Sequence, residues 1–247
     1  MNLFTKCFEV MYPHAAKTHV PYKWKRTVKI SEILTESKSR NIICIDVQPE
    51  YSGMLDGSES SVFTDIIRFV TESNGRVLMF VNAEQDGLTS DTIDGVKMYW
   101  EDTVRELNND YSEHDEEVSL IDWNRFTIID KGYGYLRSWM DMDASPAAII
   151  KTIRLMYQQK VNDSRELFGG EGSETYEASF AEFLGNEFSD FMLTDPLSVN
   201  WVSMALLKQF EGSYMVGGGR NECLREIELM MNAFNIKYKR INDLIYG

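Results

Sequence analysis

The chain is poor in cysteine, histidine, positive charge and long apolar runs, and each shortage removes a class of function. Its three cysteines, Cys7, Cys44 and Cys223, lie far apart and form no CxxC pair. That spacing suggests neither a disulfide framework nor a cysteine zinc site, and a reducing, cytoplasmic setting is expected. The three histidines, His14, His19 and His114, share no ligand spacing and read as surface or packing residues. No apolar run is long enough for a signal-peptide core or a transmembrane span, so no membrane association is expected. Twenty-five Lys and Arg face 39 Asp and Glu, and the net charge of −14 repels nucleic acid and anionic membranes. One segment departs from this balance. Residues 10–31 contain no acid, while Lys17, Lys23, Lys25, Arg26 and Lys29 interleave with Tyr22 and Trp24. Such a basic arm over residues 17–29 suits nucleic acid or an acidic partner, or, more plainly, the protein's own acidic body.

What the chain does contain is the material of a sizeable core. Its 247 residues are 43% hydrophobic and 26% charged, which suits one large domain. Residues 41–47 form a β-rich apolar run stopped by Gln48-Pro49, and 76–81 and 126–129 form two more. Between the first two, Val62, Phe63, Ile66, Ile67 and Val70 recur at helical spacing and Asn74-Gly75 closes the helix. Residues 97–109 read as a polar helix, and 147–159 as an amphipathic one introduced by Ser145-Pro146. A further helix is expected over 198–210, with Val199, Val202, Leu206 and Phe210 on or near one face. A short strand over 213–216, a helix over 223–234 with Leu224, Ile227, Met231 and Phe234 inward, and a last strand over 236–241 complete the pattern.

Strands alternating with helices predict a three-layer α/β/α fold of Rossmann type, its sheet mainly parallel and covered on both faces. The expected organisation is an N-terminal arm (1–40) and one α/β domain (41–247) with a helical insertion at 137–196. Within that insertion, residues 161–196 combine glycines with Phe168, Phe180, Phe183, Phe188 and Phe191, as a lid or an oligomer-forming segment does.

Three of the apolar runs finish on a chemically capable side chain. Asn41-Ile-Ile-Cys-Ile-Asp46 ends on a carboxylate, Phe126-Thr-Ile-Ile-Asp-Lys131 on an ammonium, and Ser213-Tyr-Met-Val-Gly-Gly-Gly-Arg-Asn-Glu-Cys223 passes through glycines to a thiol. Open parallel sheets bind ligands beyond the carboxyl ends of their strands, so neighbouring runs would gather a base, a cation and a nucleophile. Cys223 stands at a helix start, where unpaired N–H groups favour a thiolate; a buried small hydrophobe fits the same position. Gly217, Gly218 and Gly219 allow a substrate carbonyl to approach backbone N–H donors. Asp46 suits a general base, and Lys131 suits a partner that fixes its charge and stabilises developing negative charge. Taken singly, either is also an ordinary solvated charge at a strand end. Tyr133 and Tyr135 follow the lysine and suit a pocket wall or a plain loop.

In these motifs the chain resembles the isochorismatase-like cysteine hydrolases, a superfamily that includes nicotinamidases, carbamoylsarcosine-type amidohydrolases and isochorismatase. Cys44-Ile-Asp46-Val-Gln48 is similar to that family's first strand with its catalytic Asp, Ile-Ile-Asp-Lys131 to its third strand with its Lys, and 217–223 to its nucleophile turn. Residues 40–136 and 197–247 carry the likeness. It implies Asp46, Lys131 and Cys223 as catalytic residues, and an oxyanion hole from the N–H groups of Gly219 and Cys223, with a cis peptide joining Gly218 to Gly219. It further implies a small-molecule substrate, no cofactor, and subunits that pair into a homo-oligomer; Gln48, Tyr133, Tyr135 and Arg220, which stand in or beside these motifs, are the expected substrate contacts. The chain also departs from the pattern. Arg220 and Asn221 stand where the family has Thr and an acid. Asp86 is followed by Gly87 and Leu88 where metal-binding members have a histidine, so no metal is expected.

The function expected first is hydrolysis of a small-molecule amide or related C–N bond through a Cys223 thioester-type intermediate. The alternative is an inactive member of the same fold that binds a partner or assembles. A phosphate binder using the three glycines lacks both GxxxxGK[ST] and GxGxxG spacing.

Overall fold

The computed structural model describes residues 41–54, 60–83, 91–108, 119–131 and 136–247. The expected arm with its basic segment, the three histidines, Asp86, Tyr133 and Tyr135 lie outside the described residues. Five strands, β1 (Ile42–Ile45), β2 (Val77–Val81), β3 (Phe126–Asp130), β4 (Ser213–Gly217) and β5 (Tyr238–Ile245), form one sheet in the order β3-β2-β1-β4-β5. Every pairing is parallel. Helices cover both faces, as the alternating pattern predicts.

Parallel strands need crossovers that lie over the sheet, and the two faces here are separated by side-chain alternation. Ile43, Ile45, Leu78, Phe80 and Met215 face one core with α5 (Pro146–Gln159) and α9 (Cys223–Ala233). Ile42, Cys44, Val77, Met79, Tyr214 and Val216 face the other, against α2 (Ser60–Glu72) and α3 (Ile93–Leu107). The strands β1, β2 and β4 are buried along their whole length, as strands covered on both sides must be. A short helix, α1 (Pro49–Met54), follows β1 at once.

Helix α5 starts as its cap residues require: the Ser145 side chain accepts from the Ala148 N–H and Pro146 occupies the first turn. Helix α3 is less polar than its composition suggests. It begins at Ile93, capped by Thr92, and buries Val96, Trp100 and Val104, while the Trp100 indole donates to the Val47 carbonyl at 2.8 Å. Acidic neighbours on its outer face conceal that stripe in the sequence.

The insertion packs into the core of its own chain. It contains α4 (Arg137–Asp141), α5, α6 (Tyr176–Leu184) and α7 (Phe191–Thr194). Trp139, Tyr176, Phe180, Leu184, Met192 and Leu197 join the same apolar cluster as Ile43 and Leu78. The Trp139 indole donates to the Asp195 carbonyl at 2.6 Å, closing the segment on itself. These aromatic side chains are the wall of a core.

Helix α8 (Trp201–Gln209) corrects one expectation. Val202 is 71% exposed, and Ser203, Met204 and Leu207 are the buried residues. The Asn200 side chain accepts from the N–H groups of Val202 and Ser203, so the helix starts only at Trp201 and Val199 lies outside it. A face drawn through Val199 therefore has the wrong phase. Leu207→Ala should cost about 2–5 kcal/mol, whereas Val202→Ser should change stability by no more than about 0.5 kcal/mol; urea denaturation of both variants checks the assigned face.

Candidate active site

All three residues of the expected site follow strand ends on the same edge of the sheet. Asp46 comes directly after β1, in a left-handed conformation (φ 53°), with its N–H donating to the Phe80 carbonyl at 2.9 Å. Lys131 comes directly after β3, its N–H bonded to the Val81 carbonyl at 2.9 Å. Because β2 lies between β3 and β1, the lysine has to reach across the end of β2 to arrive at Asp46. Its long stem makes that possible. Cys223 is the first residue of α9, after the glycine turn that leaves β4.

The side chains converge on the lysine. Its Nζ lies 3.3 Å from Asp46 Oδ2 and donates to Cys223 Sγ at 3.1 Å. The Lys131 and Asp46 side chains are only 1% and 2% exposed. Beyond this ion pair and its interaction with the Cys223 thiol, the Asp46 carboxylate has no other side-chain or backbone hydrogen-bond donor among the described residues. A buried carboxylate with unused acceptor capacity is costly unless it has a task.

Charge states follow from these contacts. Burial acts to lower the Lys131 pKa, but the Asp46 carboxylate first, then the Cys223 sulfur to which Nζ donates, and then Glu226 outweigh it and hold the ammonium well above its ordinary value. Burial, and next the Asp46 carboxylate, push the Cys223 thiol upward, against the pull of Lys131. Burial and the carboxylate thus favour a thiol beside an ion pair, against the helix start, which favours a thiolate. The first-turn N–H groups are outweighed by an adjacent carboxylate and by loss of water.

The backbone of the turn offers donors. Among the described residues, the N–H groups of Gly219 and Cys223 have no acceptor, while the Gly219 carbonyl accepts from Glu222 (2.8 Å) and Leu224 (3.1 Å). Gly219 has φ +41°, and a Cβ there would lie 2.9 Å from the Glu222 Cβ and 3.2 Å from the Cys223 nitrogen. Any larger residue would strain the turn and crowd that N–H. The peptide joining Gly218 to Gly219 is trans, not cis as the family likeness implies, and positive φ at Gly217 and Gly219 makes the reversal instead.

Two expected substrate contacts have other partners. Gln48 is fully buried: its Nε2 donates to the Asn82 carbonyl (2.8 Å) and Asp91 Oδ2 (2.9 Å), and its Oε1 accepts the Asn82 N–H (2.9 Å). It ties the ends of β1 and β2 together. Arg220 turns toward β5, where its guanidinium donates to the Ile245 carbonyl at 3.0 Å.

Four further residues belong to the neighbourhood and were not singled out from the sequence. Glu226 is buried one turn after Cys223, accepts the Leu136 N–H at 2.6 Å and feels the Lys131 charge. Its spacing of three from the cysteine was the available signal. Asn82 closes β2 with a polar side chain, the same pattern that marks Asp46 and Lys131. Its amide donates to Tyr51 Oη at 3.1 Å, and Tyr51 is coupled electrostatically to Asp46 and Cys223. Tyr246, after β5, donates from Oη to the Asp46 carbonyl at 2.5 Å. Only pairings made by the fold reveal it.

Two expected outcomes follow. Removing the negative charge in Asp46→Asn lowers the Cys223 pKa and lets the thiolate pair with Lys131, so iodoacetamide labelling at pH ~8 should rise about tenfold for each unit lost. Lys131→Met should act in the opposite direction. Burial raises the Glu226 pKa, so the folded state retains a proton that the unfolded chain releases, and this contribution declines as pH rises above the ordinary carboxylate range. Glu226→Gln, which preserves the acceptor for Leu136, should stabilise the protein at pH ~8 more than at pH ~4, as urea titrations at the two pH values will measure. Compared with protein-family models, with curated proteins and with solved structures, the chain finds no match in any of the three.

Proposed function

We propose that this protein is a cysteine hydrolase that cleaves an amide or related C–N bond of a small molecule. The supporting observation is the lysine that lies 3.1 Å from the Cys223 sulfur and 3.3 Å from the Asp46 carboxylate. In this reading Asp46 removes the thiol proton as the sulfur attacks the carbonyl carbon, because the raised thiol pKa leaves little preformed thiolate. The oxyanion that develops is met by the N–H groups of Gly219 and Cys223. Protonated Asp46 then passes its proton to the leaving nitrogen, the C–N bond breaks, and an acyl-thiol remains on Cys223. Water activated by Asp46 attacks that acyl group and releases the acid, restoring the thiol. Lys131 keeps its charge throughout, balancing first the carboxylate and then the developing negative charge on sulfur.

The charges around the thiol favour an uncharged substrate. Arg137 is paired with Glu222 (3.0 Å) and Asp141 (3.1 Å), while Lys131 is shared between Asp46 and the sulfur. An added carboxylate would find Lys131 and Arg137 already engaged by carboxylates.

A second reading keeps the fold and drops the chemistry, as a protein that binds a partner or assembles with its own copies in the cytoplasm. The deep burial of Asp46 and Lys131 and the departures at Arg220 and Asn221 favour it. A screen of nicotinamide-type, ureido and carbamoyl compounds separates the two. Hydrolysis should appear for neutral amides before carboxylated ones, disappear in Cys223→Ala, and fall about 10²–10⁴-fold in Asp46→Asn. Wild-type turnover by a folded Cys223→Ala protein would remove the proposed mechanism.

A further inference from the structure

Asp46 has to hold an uncommon backbone conformation if its carboxylate is to face the lysine and the sulfur. A left-handed φ of 53° on a residue with a side chain carries a cost of about 1–3 kcal/mol and persists only where surrounding contacts impose it. Its N–H is bonded to β2 through the Phe80 carbonyl. Its carbonyl is bonded by one side chain from the far end of the chain, the Tyr246 hydroxyl at 2.5 Å.

We infer that Tyr246 is the positioning residue of the Asp46 carboxylate, holding the main chain of that residue so that the base faces Cys223; this rests on the proposed hydrolase reading only where Asp46 is named as the base. The ring is fixed from several directions. It lies over Gly218, where an added Cβ would fall 2.0 Å from Cζ, and it packs on Phe63 with ring centroids 4.7 Å apart. Gly218 is the opening that admits the ring.

The main chain of Tyr246 reaches the nucleophile turn as well. Its N–H donates to the Gly217 carbonyl at 3.2 Å and its carbonyl accepts the Arg220 N–H at 3.1 Å. One residue thereby joins the strand end that carries the base to the turn that leads to the sulfur. Burial, followed by the charge of Asp46, also raises the phenol pKa well above its ordinary value, so the hydroxyl is a donor at neutral and mildly alkaline pH.

The test uses no substrate and therefore stands apart from the hydrolase reading. The pH dependence of iodoacetamide labelling at Cys223 is measured for the wild type, Tyr246→Phe, Asp46→Asn and the double variant, with a melting curve for each. The titratable groups that interact with the sulfur are Asp46, Lys131 and Glu226, with the Tyr51 and Tyr246 phenols beside them. Phenylalanine retains the ring over Gly218 and removes only the donor. The expected result is faster labelling in Tyr246→Phe, about threefold or half a pKa unit, in the direction set by Asp46→Asn, with no further change when the two are combined.

An unmoved labelling profile in Tyr246→Phe, whatever its melting temperature, would overturn the inference. So would an equal shift in both backgrounds, because Tyr246 would then act independently of Asp46. If Asp46→Asn does not fold, Asp46→Asn with Lys131→Met removes both buried charges together and serves as the background. A protein that hydrolyses nothing but shows the coupled shift retains this inference and loses the hydrolase proposal.

Discussion

A buried ammonium is the constraint on which the site depends. Lys131 is closed off from water, and an isolated charge in such a place is too costly to keep. Asp46 supplies the compensating charge and the Cys223 sulfur accepts a hydrogen bond from the ammonium. Each of the three residues thus restricts the other two. Losing the carboxylate leaves an unbalanced cation, and losing the lysine leaves an unbalanced carboxylate beside the thiol.

The parallel sheet makes this meeting possible. Every strand runs the same way, so all five carboxyl ends lie along one edge, and Asp46, Asn82, Lys131 and Tyr246 each follow a different strand. Cys223 comes a turn later, at the head of the helix that leaves β4. The two apolar cores beneath, one per face, hold the strands in register and leave the edge to polar groups. Among the described residues no helix is long and apolar enough to cross a membrane.

The strands and most helices were legible because their information is local. Apolar runs of four to six residues, and Ser145-Pro146 ahead of 147–159, need no distant partner to be recognised. Asp46, Lys131 and Cys223 were legible for a related reason: each ends or closely follows such a run. Helix α8 was misphased because Val199 and Phe210 are buried without belonging to the helix, so a periodic face could be drawn through residues of different elements. The phenylalanine-rich insertion read as a lid or an oligomer-forming segment because the core residues it packs against are far away in sequence. Tyr246 left no local trace, since its significance comes from Asp46 and Gly218. The direction of the thiol pKa was likewise hidden, for a helix start is a local feature and the opposing carboxylate is not.

The contact between Asp46 and Tyr246 spans 200 positions of chain. A nascent polypeptide emerging from the ribosome has its first strand long before its fifth, and during that interval the carboxylate lacks the phenol that orients it. The arrangement at this edge is therefore completed last, with closure of the sheet. Until then the sulfur keeps the ordinary acidity of a solvated thiol, because the burial and the carboxylate that suppress the thiolate are supplied only by the finished edge.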